Sequence, residues 1–135
     1  MDDLYRELIL EHSKHPHNVG SIEHPDVSHE EYNPLCGDKI RIDLRIQDGI
    51  ITDIKFQGRG CAISQASASL LTDEMKGQPL DAVRAFGKEE MLDLIGIPLG
   101  HNPVRIKCAL LSLKALKAGV YDYIGAQVED EDDFD

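Results

Sequence analysis

The chain has 135 residues, near the size of one ordinary domain, with 14 Lys+Arg against 25 Asp+Glu and a net charge of −11. Six of those acids (Glu129, Asp130, Glu131, Asp132, Asp133 and Asp135) fall in the last seven residues, and without them the balance is −5. No surplus of cations exists to displace counterions from phosphates, so a nonspecific nucleic-acid binder is excluded. No membrane span is expected either, because no apolar run approaches the ~20 residues that cross a bilayer. Met1-Asp2-Asp3-Leu4-Tyr5 has neither the basic nor the apolar stretch of a secretory signal. An odd count of 3 cysteines argues against a disulfide framework and for thiols kept reduced in the cytoplasm.

In chain order, Asp3 to Lys14 reads as a short helix with Leu4, Leu8 and Ile9 at helical spacing, stopped at His15-Pro16. The polar stretch from Pro16 to Pro34 holds one edge strand, near Val27 to Tyr32. His12, His15 and His17 within and beside it are expected to be solvated, with an accessory metal site as the alternative. Ile40, Ile42, Leu44 and Ile46 then alternate with Arg41, Asp43 and Arg45, the period of a half-buried strand. Asp48-Gly49 supplies a tight turn and Ile50 to Phe56 the returning strand, with Gln57-Gly58-Arg59-Gly60 as its breaker. Helices follow at Ala62 to Lys76, Pro79 to Phe86 and Lys88 to Ile95, then a loop from Gly96 to Asn102. The last helix runs from Pro103 to Ala118 and stops at Gly119. These elements suggest an α+β fold: a small antiparallel sheet of about three strands with helices packed on one face. The expected organisation is a single domain over residues 1–125 and a disordered acidic tail over 126–135.

The three thiols fall outside the alternating strands. Cys36 lies in Pro34-Leu35-Cys36-Gly37-Asp38, before the first hairpin strand. Cys61 follows Gly58-Arg59-Gly60 at the start of a helix, and Cys108 follows Arg105-Ile106-Lys107 early in the last helix. A thiol ligates metal or attacks only as thiolate, which helix starts and cationic neighbours favour. Asp38, two residues after Cys36, can turn a carboxylate toward the same point. Three thiolates and a carboxylate make the four ligands of a tetrahedral zinc ion or of an iron–sulfur cluster edge. The oxygen ligand suits a site that exchanges a ligand or releases its metal. Each cysteine alone is as readily a small buried hydrophobe, and spacings of 25 and 47 residues match no zinc-finger pattern. His101 is an alternative fourth ligand if its loop folds back, and Lys107 would stabilise thiolates if its ammonium faced them.

Asn33-Pro34-Leu35-Cys36-Gly37-Asp38, the block from Gly60-Cys61-Ala62-Ile63-Ser64-Gln65 to Ser69, and Arg105-Ile106-Lys107-Cys108 resemble the three cysteine blocks of the IscU/SufU family. His15-Pro16-His17-Asn18-Val19-Gly20 and the helix before it are similar to that family's opening. The resemblance runs from about Leu4 to Gly119. It implies an α+β scaffold for iron–sulfur cluster assembly fed with sulfur by a cysteine desulfurase, passing clusters to recipient apo-proteins or carriers. Cys36, Asp38, Cys61 and Cys108 would be the ligands of a resting zinc ion or of a 2Fe-2S or 4Fe-4S cluster. Cys36 would accept persulfide sulfur, with Cys108 the alternative acceptor and Arg105 a supporting basic residue. Lys107, where IscU proteins generally carry histidine, resembles the SufU branch, whereas the Cys61-to-Cys108 span is nearer the IscU length. Pro103-Val104-Arg105 lacks the paired prolines of a chaperone-recognition segment, so chaperone binding is not expected. The rivals are a zinc-dependent sulfur relay that holds no cluster and a zinc-stabilised interaction module.

Overall fold

The computed structural model describes residues 2–34, 37–96 and 103–125. Cys36, His101 and the acidic tail lie outside the described residues, as does most of the loop expected from Gly96 to Asn102. The element order is α1 (Asp2–Lys14), β1 (Val27–Asn33), β2 (Asp38–Gln47), β3 (Ile50–Arg59), α2 (Ala62–Met75), α3 (Leu80–Ala85), α4 (Lys88–Ile95) and α5 (Pro103–Tyr123).

The strands form one antiparallel sheet in the order β1-β2-β3. Asp48 and Gly49 both take positive φ, 54° and 76°, which matches the twist of a two-residue hairpin turn. Ile40, Ile42 and Leu44 of β2 and Ile54 and Phe56 of β3 are buried on the face that α2 and α5 cover. Helix α1 packs on α2, while α3 and α4 pack on α5. Among the described residues no helix is long and apolar enough to cross a membrane.

Four local expectations change. β3 does not break at Gln57 but pairs through Arg59, because Gly58 lies opposite Ile40 where a Cβ would come within 2.1 Å of the Lys39 carbonyl oxygen. The glycine permits a close strand approach and so extends the ladder. α5 likewise continues past Gly119 to Tyr123. A Cβ at Gly119 would meet Val27 Cγ1 at 2.7 Å and His29 Cβ at 3.1 Å, so the missing side chain lets α5 lie against β1. In α1, Ile9 is buried but Leu8 is exposed, leaving a narrower apolar stripe than the spacing suggests.

The fourth change concerns the histidines. His12 is buried, not solvated, and its Nδ1 bonds Ser69 Oγ at 2.6 Å. Burial and the neighbouring His17 push the His12 imidazole below its ordinary pKa, against the pull of Asp73 and Glu11.

The α5–β1 approach makes a testable demand. Gly119→Val should lower unfolding free energy by about 1–3 kcal/mol through overpacking, read by chemical denaturation. An unchanged or higher midpoint would show that the two elements have room to spare.

Candidate metal centre

Asp38 and Cys61 are 23 residues apart in sequence but adjacent in register. Lys39 pairs with Arg59, so Asp38 at the start of β2 falls beside Gly60 and Cys61 at the exit of β3. Cys61 is the N-cap of α2, in extended conformation, and its thiol makes no capping bond. The Asp38 carboxylate lies at this helix start instead. Its Oδ1 accepts from the Cys61 N–H at 3.3 Å, its Oδ2 lies 3.6 Å from Cys61 Sγ, and Ser64 Oγ donates to Oδ2. A carboxylate facing the free amide end of a helix is favourably placed by the helix dipole.

Cys108 arrives from the other side of the core. α5 packs against β1, β2 and α2, and carries Cys108 in its second turn. Ser64 ties the two helices at this level, since its hydroxyl also lies 3.4 Å from the Cys108 carbonyl oxygen. As a result Asp38, Cys61 and Cys108 each offer a ligand atom, all within 4.8 Å of one another. Asp38 is 3% exposed and Cys108 3% exposed, whereas Cys61 is exposed, so the cluster is walled on two sides and open on the third. Neither Cys61 nor Cys108 is disulfide-bonded.

This donor set fits a metal ion. Tetrahedral zinc with two sulfurs and an oxygen separates its ligands by about 3.5–3.8 Å. The Cys61 Sγ to Asp38 Oδ2 distance of 3.6 Å already falls there, and the 4.8 Å limit leaves only small side-chain adjustments for the rest. Two soft sulfurs with one oxygen suit zinc or iron far better than magnesium or calcium.

Of the residues singled out in the sequence, three thus come together. Cys36 lies outside the described residues, in the connection between Asn33 and Asp38, which are partners in the β1–β2 ladder. Arg105 is exposed on the first turn of α5. Lys107 lines a cleft of about 240 Å³ between the end of β1 and α5, shared with Tyr32, Leu110 and Lys114. Arg59, although near Cys61 in sequence, closes the β2–β3 ladder opposite Lys39.

One contributor escaped the sequence reading. Ser64 reads as one small residue of a Ser/Ala run, yet it is buried and bonded to the carboxylate. Gly60 contributes by its missing bulk beside the thiol: a Cβ there would meet Asp38 Cγ at 2.6 Å and Oδ1 at 2.8 Å. The available signal was position: Ser64 stands three residues after Cys61, on the first turn, where a side chain can face the cap.

The chain is similar to known proteins over nearly its whole length. Residues 4–130 match the NifU-like N terminal domain. The zinc-dependent sulfurtransferase SufU of Bacillus subtilis is 37% identical over 135 residues, covering 89% of this chain and 91% of that protein. The iron–sulfur cluster assembly scaffold protein IscU of Escherichia coli K12 is 35% identical over 123 residues, covering 88% and 93%. Among solved structures, the N-terminal part of a nitrogen-fixing NifU-like protein from Brucella abortus superposes with a TM-score of 0.74 at 27% identity, over 93% of this chain and 98% of that one. The three-stranded sheet, the cysteine-bearing helix start and the matched sequence agree: this chain belongs to the NifU-like N-terminal family of IscU/SufU scaffolds.

Proposed function

We propose that this protein is a cytoplasmic iron–sulfur cluster assembly scaffold that accepts persulfide sulfur from a cysteine desulfurase at a Cys36/Asp38/Cys61/Cys108 metal site. The observation that carries this reading is the convergence of Asp38, Cys61 and Cys108, from three different elements, within 4.8 Å. Cys36 supplies the fourth ligand: two residues from Asp38, it has a reach of about 7 Å from that residue along the chain. The functional unit is the domain over residues 1–125, with the acidic residues beyond it as a solubilising tail.

Zinc held there keeps thiols deprotonated and protected until a partner docks. The protein's own groups do the rest. Cys36, Asp38, Cys61 and Cys108 would hold the ion, exchange of one ligand at docking would free the Cys36 thiolate, and Ser64 and the Cys61 N–H orient the Asp38 carboxylate. The exposed side of Cys61 is the face from which a partner's cysteine persulfide approaches. The Cys36 thiolate then attacks the outer sulfur of that persulfide. The sulfur–sulfur bond of the partner breaks, its thiolate leaves, and a persulfide remains on Cys36. Cys108 is the alternative acceptor, and Arg105 is the supporting cation on the first turn of α5. Clusters assembled on these ligands from iron and delivered sulfur are the cargo, passed on to apo-proteins or carriers.

A second reading, a zinc-dependent sulfur relay that holds no cluster, is supported by Lys107 before Cys108 and by the similarity to the zinc-dependent sulfurtransferase. The two separate in a paired assay. A relay raises the turnover of the desulfurase and stays colourless on anaerobic reconstitution with iron and sulfide. A scaffold develops thiolate-to-iron charge-transfer absorption.

Metal analysis of the purified protein tests the shared site. Serine at position 36, 61 or 108 in turn should each lower the bound metal to a similar extent, and retention of full metal by any one variant contradicts it. The residues that hold Asp38 give a finer test. Ser64→Ala and Gly60→Ala should each weaken zinc binding about 10–100-fold in competition with a chromophoric chelator. Unaltered affinity in both would remove Asp38 from the ligand set.

A further inference from the structure

A second group of metal-ligating side chains lies further along α2, away from the cysteines. His12 from α1, His17 from the loop after it and Asp73 from the last turn of α2 each present a ligand atom, all within 4.8 Å of one another. Ser64 and Asp73 are nine residues apart on one helix, a rise of about 14 Å. The two clusters are therefore separate. The proposed sulfur chemistry makes no use of this one.

The surroundings of the three groups resemble a support shell. His17 Nδ1 lies 2.6 Å from Asp73 Oδ2, and the other carboxylate oxygen accepts from Asn18 Nδ2 at 2.8 Å. Asn18 Nδ2 also donates to Thr72 Oγ1 at 3.0 Å. Ser69 Oγ is shared by His12 Nδ1 at 2.6 Å and the His17 N–H, which donates to it at 2.8 Å. Partners of this kind fix ring orientation and carboxylate direction in metal sites. The imidazole rings of His12 and His17 lie 4.5 Å apart, centroid to centroid, tilted by 48°. His12 is buried, while the His17 and Asp73 side chains are 51% and 43% exposed, so the group has a closed back and a wet front.

Charge favours a cation here: one carboxylate and two imidazoles bring a formal negative charge and nitrogen donors within 4.8 Å of one another. In the absence of an ion, a neutral His17 with its hydrogen on Nδ1 satisfies the 2.6 Å contact with Asp73.

We propose that His12, His17 and Asp73 form an accessory site for a divalent first-row transition ion, independent of the cysteine centre. Two imidazoles and one carboxylate, open to water on one side, suit Zn²⁺ or Fe²⁺ and disfavour Ca²⁺, which takes six to eight oxygens. The ion would replace the hydrogen bond between His17 and Asp73, and water would complete its coordination.

Cobalt titration of the zinc-loaded protein is the test, with Co²⁺ as probe. The expected result is one further saturable equivalent, with weak d–d bands and no thiolate-to-cobalt charge transfer. His17→Ala and Asp73→Asn should each weaken that uptake at least about tenfold while leaving cysteine-bound zinc unchanged. If His17→Ala fails to fold, Asp73→Asn, nearly isosteric and half-exposed, carries the test alone. Absence of a second equivalent would overturn the proposal and leave the cluster as a hydrogen-bonded clasp between α1 and α2. Uptake equal in both variants would also overturn it, placing the ion elsewhere, such as on the acidic C-terminal residues. A charge-transfer band would assign the cobalt to the cysteines. None of these readouts depends on whether the cysteine centre transfers sulfur.

Discussion

A carboxylate buried at the start of a helix organises this molecule. Asp38 is 3% exposed, and a buried anion is tolerated only with close, directed partners. It finds them in the Cys61 N–H and the Ser64 hydroxyl, both at the N-terminal end of α2. Those bonds join the first residue of β2 to the first turn of the helix that follows β3. The hairpin register makes the meeting possible, and Gly60 leaves the space for it. The sheet edge, the helix start and two of the three ligand atoms are thus brought together by this pair of hydrogen bonds.

The cysteine centre gains its character from unequal burial. Cys108 is held by the packing of α5 against β1, β2 and α2, so its position follows from the core. Cys61 stands outside the core at a helix cap, with its thiol bonded to no backbone amide. One donor is fixed and the other accessible, which is what a site needs if it must hold an ion and still meet a docking protein. The wet front and closed back of the His12/His17/Asp73 group repeat that design further along the same helix.

Much of this was legible in the chain itself. Alternation from Ile40 to Ile46, the Asp48-Gly49 turn and the helix starts define the α+β layout, because each rests on local physics. The three cysteine blocks and Asp38 could be grouped as candidates from their neighbours in sequence. Glycine was the point of failure. At Gly58 and Gly119 it was read as a stop signal, but it serves there as an absence of bulk that lets another backbone come close. That role depends on what packs opposite and has no local signature. His12 failed for the same reason: a histidine on a polar stretch was read as solvated, and only the serine 57 residues away makes it a buried, bonded group. Ser64 was hidden because its partner, Asp38, lies on a different element, 26 residues away.

The account depends on three sulfurs and one carboxylate oxygen sharing a single ion. X-ray absorption at the zinc edge of the Asp73→Asn protein carrying one equivalent of zinc reads that shell directly. The account predicts three sulfurs at about 2.3 Å and one oxygen at about 2.0–2.2 Å. A shell made only of nitrogen and oxygen, or one with fewer than three sulfurs, would contradict it.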